Sequence, residues 1–145
     1  MKVEIVDANL SHLFDVIEDL RDFEREQCKK MFGDRLEQEA ARILSRSLLA
    51  YAALVDGRCV LVYGIFTDKL LSEEGWLWML GTKFLEEHPL AFLRHSKRHL
   101  DSIRPIFKKL CGVVLSDLPC GEKWLRWLGF DVGPDCEGLR PFVTR

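Results

Sequence analysis

The sequence predicts a mixed α/β domain in which one central sheet is flanked by helices on both faces. Three observations predict it. Trp76-Leu77-Trp78-Met79-Leu80 is a continuous apolar run without polar alternation, as expected of a strand covered on both sides. Apolar residues recur at helical spacing before it, from Leu10 onward, and after it, from Pro89 onward. Asp56-Gly57, the strongest hairpin-turn dipeptide in the chain, separates two runs rich in strand formers. With 145 residues and no repeat, low-complexity segment or linker, residues 1–145 read as a single domain. A chain of that size buries about two-thirds of its unfolded surface.

The elements follow in order. Val3, Ile5 and Val6 around Glu4 make a short first strand, stopped by Asp7-Ala8-Asn9, where Asp7 or Asn9 can cap a helix. Leu10, Leu13, Phe14, Ile17, Leu20, Phe23 and Met31 then recur at helical spacing, with Asp15, Glu18, Asp19 and Asp22 on other faces. This acidic first helix ends by Gly33. Asp34 and Glu37 have the offset of a capping box, and a second helix follows through Leu36, Ala40, Ile43, Leu44 and Leu48. Tyr51–Val55 and Arg58–Phe66 are the arms of the hairpin, and Asp68–Gly75, with Ser72, Glu73 and Glu74, is a polar connection. After Trp76–Leu80 the chain turns at Gly81-Thr82. Lys83–His88 leads into a long cationic helix from Pro89 to about Leu110. Its buried stripe is Leu90, Leu93, Leu100, Ile103, Phe107 and Leu110. Pro89 suits a first helical turn, and Pro105 should kink or split the helix. Cys111–Leu115 is a buried strand and Glu122–Leu128 a short helix. Gly129 is placed to end that helix in a left-handed conformation. Phe130–Val132 and Leu139–Val143 are the last strands. The order is β-α-α-β-β-β-α-β-α-β-β.

Composition excludes several classes. Twenty-one basic and 23 acidic side chains leave a formal charge of −2, which carries no specific nucleic-acid signature. The apolar runs are far shorter than the roughly 20 residues of a membrane span, and Met1-Lys2 leads straight into a strand rather than a signal peptide. Five cysteines without a C-x-x-C pair fit a reducing cytoplasm better than a disulfide framework or zinc knuckle. Cys59 and Cys111, in strand-like runs, read as small hydrophobes.

Few residues carry chemistry on their own. His95 and His99 stand i, i+4 on one helix face, a spacing that can hold a metal, yet no third ligand is suggested, so solvated or capping histidines are the expectation and no metal is assigned. Arg94, Lys97, Arg98, Arg104, Lys108 and Lys109 read as a solvated basic face complementing the acidic first helix; the alternative is a cradle for phosphates or an acidic partner. Ser96 and Ser102 have no base-plus-orienter pattern around them, so neither reads as a nucleophile. Cys120, after Pro119 at a helix start, is where a helix dipole favours a thiolate, against the plainer reading of a capping residue. Trp76, Trp78, Trp124 and Trp127 belong to core packing or to the wall of a cleft.

The order of elements resembles the GCN5-related N-acetyltransferase (GNAT) fold, and Trp124-Leu125-Arg126-Trp127-Leu128-Gly129-Phe130 is similar to that family's helix-then-Gly-Phe ending. A wider set is similar to a group of GNAT-like phage and prophage proteins that includes the internal virion protein A type. The set comprises Ser45–Ala53, Asp56-Gly57, Trp78-Met79-Leu80-Gly81-Thr82, Pro89-x-x-Phe92-Leu93-Arg94-x-Ser96 and Trp124-Leu125-x-x-Leu128-Gly129-Phe130. The resemblance implies that acetyl-CoA, if it binds, meets Leu80, Gly81, Thr82 and Lys83. Working members carry a Gln/Arg-x-x-Gly-x-Gly/Ala loop there, whose backbone N–H groups and helix N-terminus hold the diphosphate. This chain has one glycine, then Glu86, Glu87 and Pro89. The family's tyrosine general acid falls at or near Leu125, and no catalytic residue is assigned. The resemblance therefore implies a decayed cofactor site with no cofactor expected. It also implies a role in contact with a phage or host protein, in the host cytoplasm or the virion. The alternatives are an active acetyl-CoA-dependent N-acetyltransferase with an atypical phosphate loop, or a phage effector that binds a host protein.

Overall fold

The computed structural model describes residues 2–67, 73–118 and 120–145, without the side chains of residues 90, 91 and 93. The chain runs β1 (Val3–Asp7), α1 (Leu10–Glu18), α2 (Asp22–Phe32), α3 (Leu36–Arg46), β2 (Ser47–Val55), β3 (Arg58–Phe66) and β4 (Glu74–Gly81). It continues through α4 (Phe84–Glu87), α5 (Pro89–Ile103), a 3₁₀ turn (Arg104–Ile106), β5 (Lys109–Leu115), α6 (Gly121–Leu128), β6 (Phe130–Val132) and β7 (Leu139–Thr144). The strands form one seven-stranded sheet in the order β1-β2-β3-β4-β5-β7-β6, with β4 at its centre. Every pairing is antiparallel except β4 with β5.

Helices cover both faces, as the apolar spacing requires. On one face Leu13, Val16, Ile17 and Leu20 of the first helical region, with Ala40 of α3, pack on Ala52, Val62 and Leu80. On the other, Leu100 and Ile103 of α5 and Leu125 and Leu128 of α6 pack on Ile65, Leu110, Val114 and Phe142. Asn9 caps α1 in a reciprocal box: its side chain accepts from the His12 N–H at 3.0 Å, and His12 Nδ1 accepts from the Asn9 N–H at 3.2 Å. The hairpin turn forms as expected, with Asp56 at φ 50° and Gly57 at φ 83°.

Several boundaries differ from the sequence expectation. The first helix is two helices, α1 and α2, because Asp19–Arg21 is recruited by the turn after β4. The Lys83 N–H donates to the Asp19 carbonyl at 3.2 Å, and Leu20 bridges to Thr82. The second helix stops at Arg46 rather than Leu48, since Ser47 already pairs with Phe66 in the sheet. The capping box at Asp34 and Glu37 does not form; Arg35 precedes α3 without a side-chain cap. Lys83–His88 contains its own short helix, α4. The long cationic helix ends at Ile103, Pro105 lies in the 3₁₀ turn, and Phe107 and Leu110 are buried from extended segments instead. Trp76 is 43% exposed, so β4 is not covered along its whole length. Residues 68–72 of the polar connection, Pro119 and the side chains of Leu90 and Leu93 lie outside the described residues.

Gly129 ends α6 at φ 102°, ψ 22°, a region costly for a residue with Cβ, and the Arg104 guanidinium occupies the space a Cβ would need. Replacing Gly129 with Val is expected to lower unfolding stability by on the order of 1–2 kcal/mol or more, read as a shift in the denaturant midpoint at unchanged slope.

Candidate functional site: the gap between the two central parallel strands

Pairing between β4 and β5 covers only Glu74↔Lys109, Gly75↔Leu110 and Trp76↔Cys111. Beyond Trp76 the strands part, and the gap forms part of a cavity of about 930 Å³ whose lining extends from Val3 and Ile5 of β1 to Leu125 and Leu128 of α6 and includes Met79, Phe92, His99 and Trp124. The strand edges facing it are handled in different ways. On β5, Val113 lies opposite Pro141, which has no N–H, so its carbonyl faces the gap and accepts from Gln27 Nε2 at 3.0 Å. On β4, Gly81 uses both backbone groups away from β3: its N–H donates to the Glu24 carboxylate, and its carbonyl accepts from the Arg21 N–H at 3.3 Å.

Arg21 and Glu24 form the most buried ion pair among the described residues, their side chains only 8% and 3% exposed. Arg21 Nε donates to Glu24, and the guanidinium lies 4.4 Å from the Phe23 ring centroid and 5.9 Å from that of Phe92. Desolvation pushes the Glu24 carboxyl above its ordinary range, with Arg21 and the Gly81 amide pulling it back. A Cβ on residue 81 would meet Leu85 and Arg21, so the pair closes over the strand only because position 81 is glycine.

The residues marked for acetyl-CoA, Leu80 to Lys83, lie together at the end of β4. Leu80 is 9% exposed. The Thr82 N–H and hydroxyl both donate to the Val60 carbonyl, at 3.0 and 2.9 Å. The Lys83, Leu85 and Glu86 N–H groups donate to the carbonyls of Asp19, Thr82 and Lys83, at 3.1–3.2 Å. With Gly81, five amides of this turn are engaged within the chain.

On the α5 side, Tyr51 and Tyr63 are register partners, and His99 sits edge-on to both rings at 4.8 and 5.1 Å. Burial lowers the His99 pKa and raises that of Tyr63, so both are held in their neutral forms. His95 is exposed, and no metal-binding cluster exists among the described residues. Leu125, at the place carried over for a general acid, is 2% exposed core. Cys120 is exposed, in a left-handed conformation before α6. The basic side chains are dispersed: Lys97 pairs with Asp101 and lies over Trp127, Lys108 pairs with Glu73, and Arg104 donates to the Leu128 carbonyl.

Sequence reasoning did not find Arg21, Glu24 and Gln27. Their only sequence signal is an i, i+3 charge pair inside an acidic segment, which also describes any solvated helix. Nor did the hairpin turn give the Tyr51–Tyr63 pairing: counting back from Val55 opposite Arg58 sets Tyr51 against Val62, and a register shift between Ala53 and Leu54 moves it to Tyr63.

No protein-family model matches the chain, and no curated protein matches it in sequence. Solved structures do match its fold. The PaiA N-acetyltransferase from Thermoplasma acidophilum, in complex with coenzyme A, superposes with a TM-score of 0.72 at 12% identity, over 100% of this chain and 99% of that one. A GNAT-family acetyltransferase from Streptococcus pneumoniae gives 0.62 at 14% identity over 99% of both chains. An acetyltransferase from Streptococcus agalactiae gives 0.69 at 15% identity, over 98% and 97%. The chain has the GNAT acetyltransferase fold; at these identities the likeness is one of fold.

Glu24→Ala leaves the Arg21 guanidinium buried without its partner and is expected to cost about 3–5 kcal/mol, whereas Arg21→Met with Glu24→Leu should recover most of that loss in denaturant unfolding. The pH dependence is also signed. The folded carboxyl keeps its proton where the unfolded one, near 4.5, has released it, so this group's contribution is full below 4.5 and declines as pH rises through the folded value. Wild-type stability should therefore fall relative to Glu24→Gln as pH rises above 4.5.

Proposed function

We propose that this protein is a GNAT-fold protein with a degenerate acetyl-CoA site, acting through contact with another protein. The observation that carries this reading is the occupation of the turn after β4. A diphosphate needs several free N–H groups converging at a helix start, and here five amides already have partners within the chain. Pro89 brings no N–H to the start of α5, and Glu86 and Glu87 are exposed in the same stretch. The position carried over for the general acid holds Leu125, and the described helices include none long and apolar enough to cross a membrane. Phage or prophage origin, and a virion-associated place for the protein, draw their support from the motif set that runs from Ser45–Ala53 to Gly129-Phe130.

A second reading is an active acetyl-CoA-dependent N-acetyltransferase with an atypical phosphate loop. The parting of β4 and β5 favours it, because the gap opens into a cavity with room for a small molecule and a similar fold has been solved with coenzyme A. In that case Leu80 to Lys83 would lie nearest the cofactor.

The two readings separate in one titration. Calorimetry with acetyl-CoA at low and moderate salt is expected to give a dissociation constant above about 1 mM, less than about 4 kcal/mol of binding. Micromolar binding that is lost on changing Gly81 or Thr82 would promote the acetyltransferase.

A further inference from the structure

We propose that the outer face of α5 and α6, centred on Trp127, docks an acidic segment of a partner protein that carries an apolar side chain between its carboxylates. This rests on the protein-contact reading above and gives the partner a chemistry.

An exposed tryptophan is the first observation. α6 packs through Leu125 and Leu128, which are buried in the core. Trp124 turns inward against Phe92, its indole N–H buried and without a partner among the described residues. Trp127 lies on the outer side of the same helix and stays 50% exposed. A large aromatic surface is thus left in water although the packing of α6 does not require it there. Tryptophan and arginine are the residues most enriched where one protein anchors another.

The charge around Trp127 is one-sided. Lys97 Nζ lies 5.3 Å from the Trp127 ring centroid, which identifies the side of α5 that borders α6. Arg94, Lys97, Arg98 and Asp101 stand three or four residues apart and share one face of α5, and Lys123 stands one turn before Trp127 on α6. Asp101 pairs with Lys97, but Arg94, Arg98 and Lys123 are exposed and form no ion pair among the described residues. Glu122 is turned away, onto Arg126 and Arg140. The acidic segment at α1 and α2 cannot supply the counter-charge, because those helices pack on the opposite face of the sheet. Charge complementarity therefore selects an acidic occupant, and Trp127 selects an apolar side chain on it. A nucleic-acid strand fits less well, since its affinity comes from many phosphate contacts and this face sets a carboxylate among few cations, on a chain of net charge −2.

The test uses the full chain, isotope-labelled, titrated with the blocked peptide N-acetyl-Asp-Glu-Leu-Phe-Glu-Asp-amide and followed through the indole N–H NMR signals. Saturable shifts are expected at Trp127, with a dissociation constant below about 1 mM at low salt and binding at least tenfold weaker at about 0.3 M salt. The same peptide with Asn and Gln in place of Asp and Glu should bind at least tenfold more weakly, without any change to the protein. Arg94→Glu with Lys123→Glu should weaken binding at least tenfold, and Trp127→Ala, followed by calorimetry, several-fold. All three positions are exposed, so the melting curves should stay unchanged. Absence of shifts at Trp127 with millimolar probe, equal binding of the neutral probe, or tighter binding of oligo-thymidylate at the same signal overturns the proposal. In a parallel arm, acetyl-CoA shifting the Trp127 signal at micromolar concentration overturns both this proposal and the closed-site reading. If neither ligand binds, only the acidic-segment proposal falls.

Discussion

Beyond Trp76, the central strand of the sheet has, among the described residues, a strand neighbour on one side only, and much of the surrounding structure answers to that constraint. Backbone polar groups buried away from water need partners, so each edge left by the parting must be satisfied or kept accessible. Gln27 reaches from α2 to the Val113 carbonyl of β5, and Glu24 and Arg21 take the last residue of β4. Both contacts come from one helical region, which explains why the segment after α1 breaks at Asp19–Arg21 instead of continuing. The break delivers Arg21 to the end of β4 and lets α2 run under the gap.

The Arg21–Glu24 pair is therefore a positional device as much as an attractive one. A buried ion pair contributes little net stability once desolvation is counted, but either partner alone would be strongly unfavourable. The pair locks the α1–α2 corner against Gly81 in a single arrangement, with Phe23 and Phe92 beside the guanidinium. By the same act it places a carboxylate on an amide that would otherwise be free at the mouth of the gap. The site consequently offers apolar walls and scattered neutral donors rather than a focused positive field. The cations of α5 do not correct this, since Lys97 is drawn into a local pair and Arg104 is spent on the end of α6.

Local patterns made much of this architecture legible. The hairpin came from Asp56-Gly57 and its flanking β-formers, the seven strands from their apolar runs, and the end of α6 from Gly129. Each is set by interactions within a few residues, where propensity and turn chemistry decide. The turn at Leu80 to Lys83 was also marked correctly as the end of the central strand.

What local pattern could not supply was the pairing partner of each group. Leu10–Met31 reads as one helix because its apolar spacing hardly falters, yet the chain breaks where distant Thr82 and Lys83 claim its backbone. Trp76–Leu80 reads as a strand covered on both faces, although hydrophobicity does not record where β5 stops pairing. Glu24 looks like any helix-surface acid until Gly81 is brought to it from 57 residues away. The sequence by itself determined the seven strands, the approximate places of most helices and that they form one sheet with helices on either side. Only the tertiary structure decided where the sheet opens and which buried donors remain unmet, because both depend on hydrogen bonds between residues far apart in the chain.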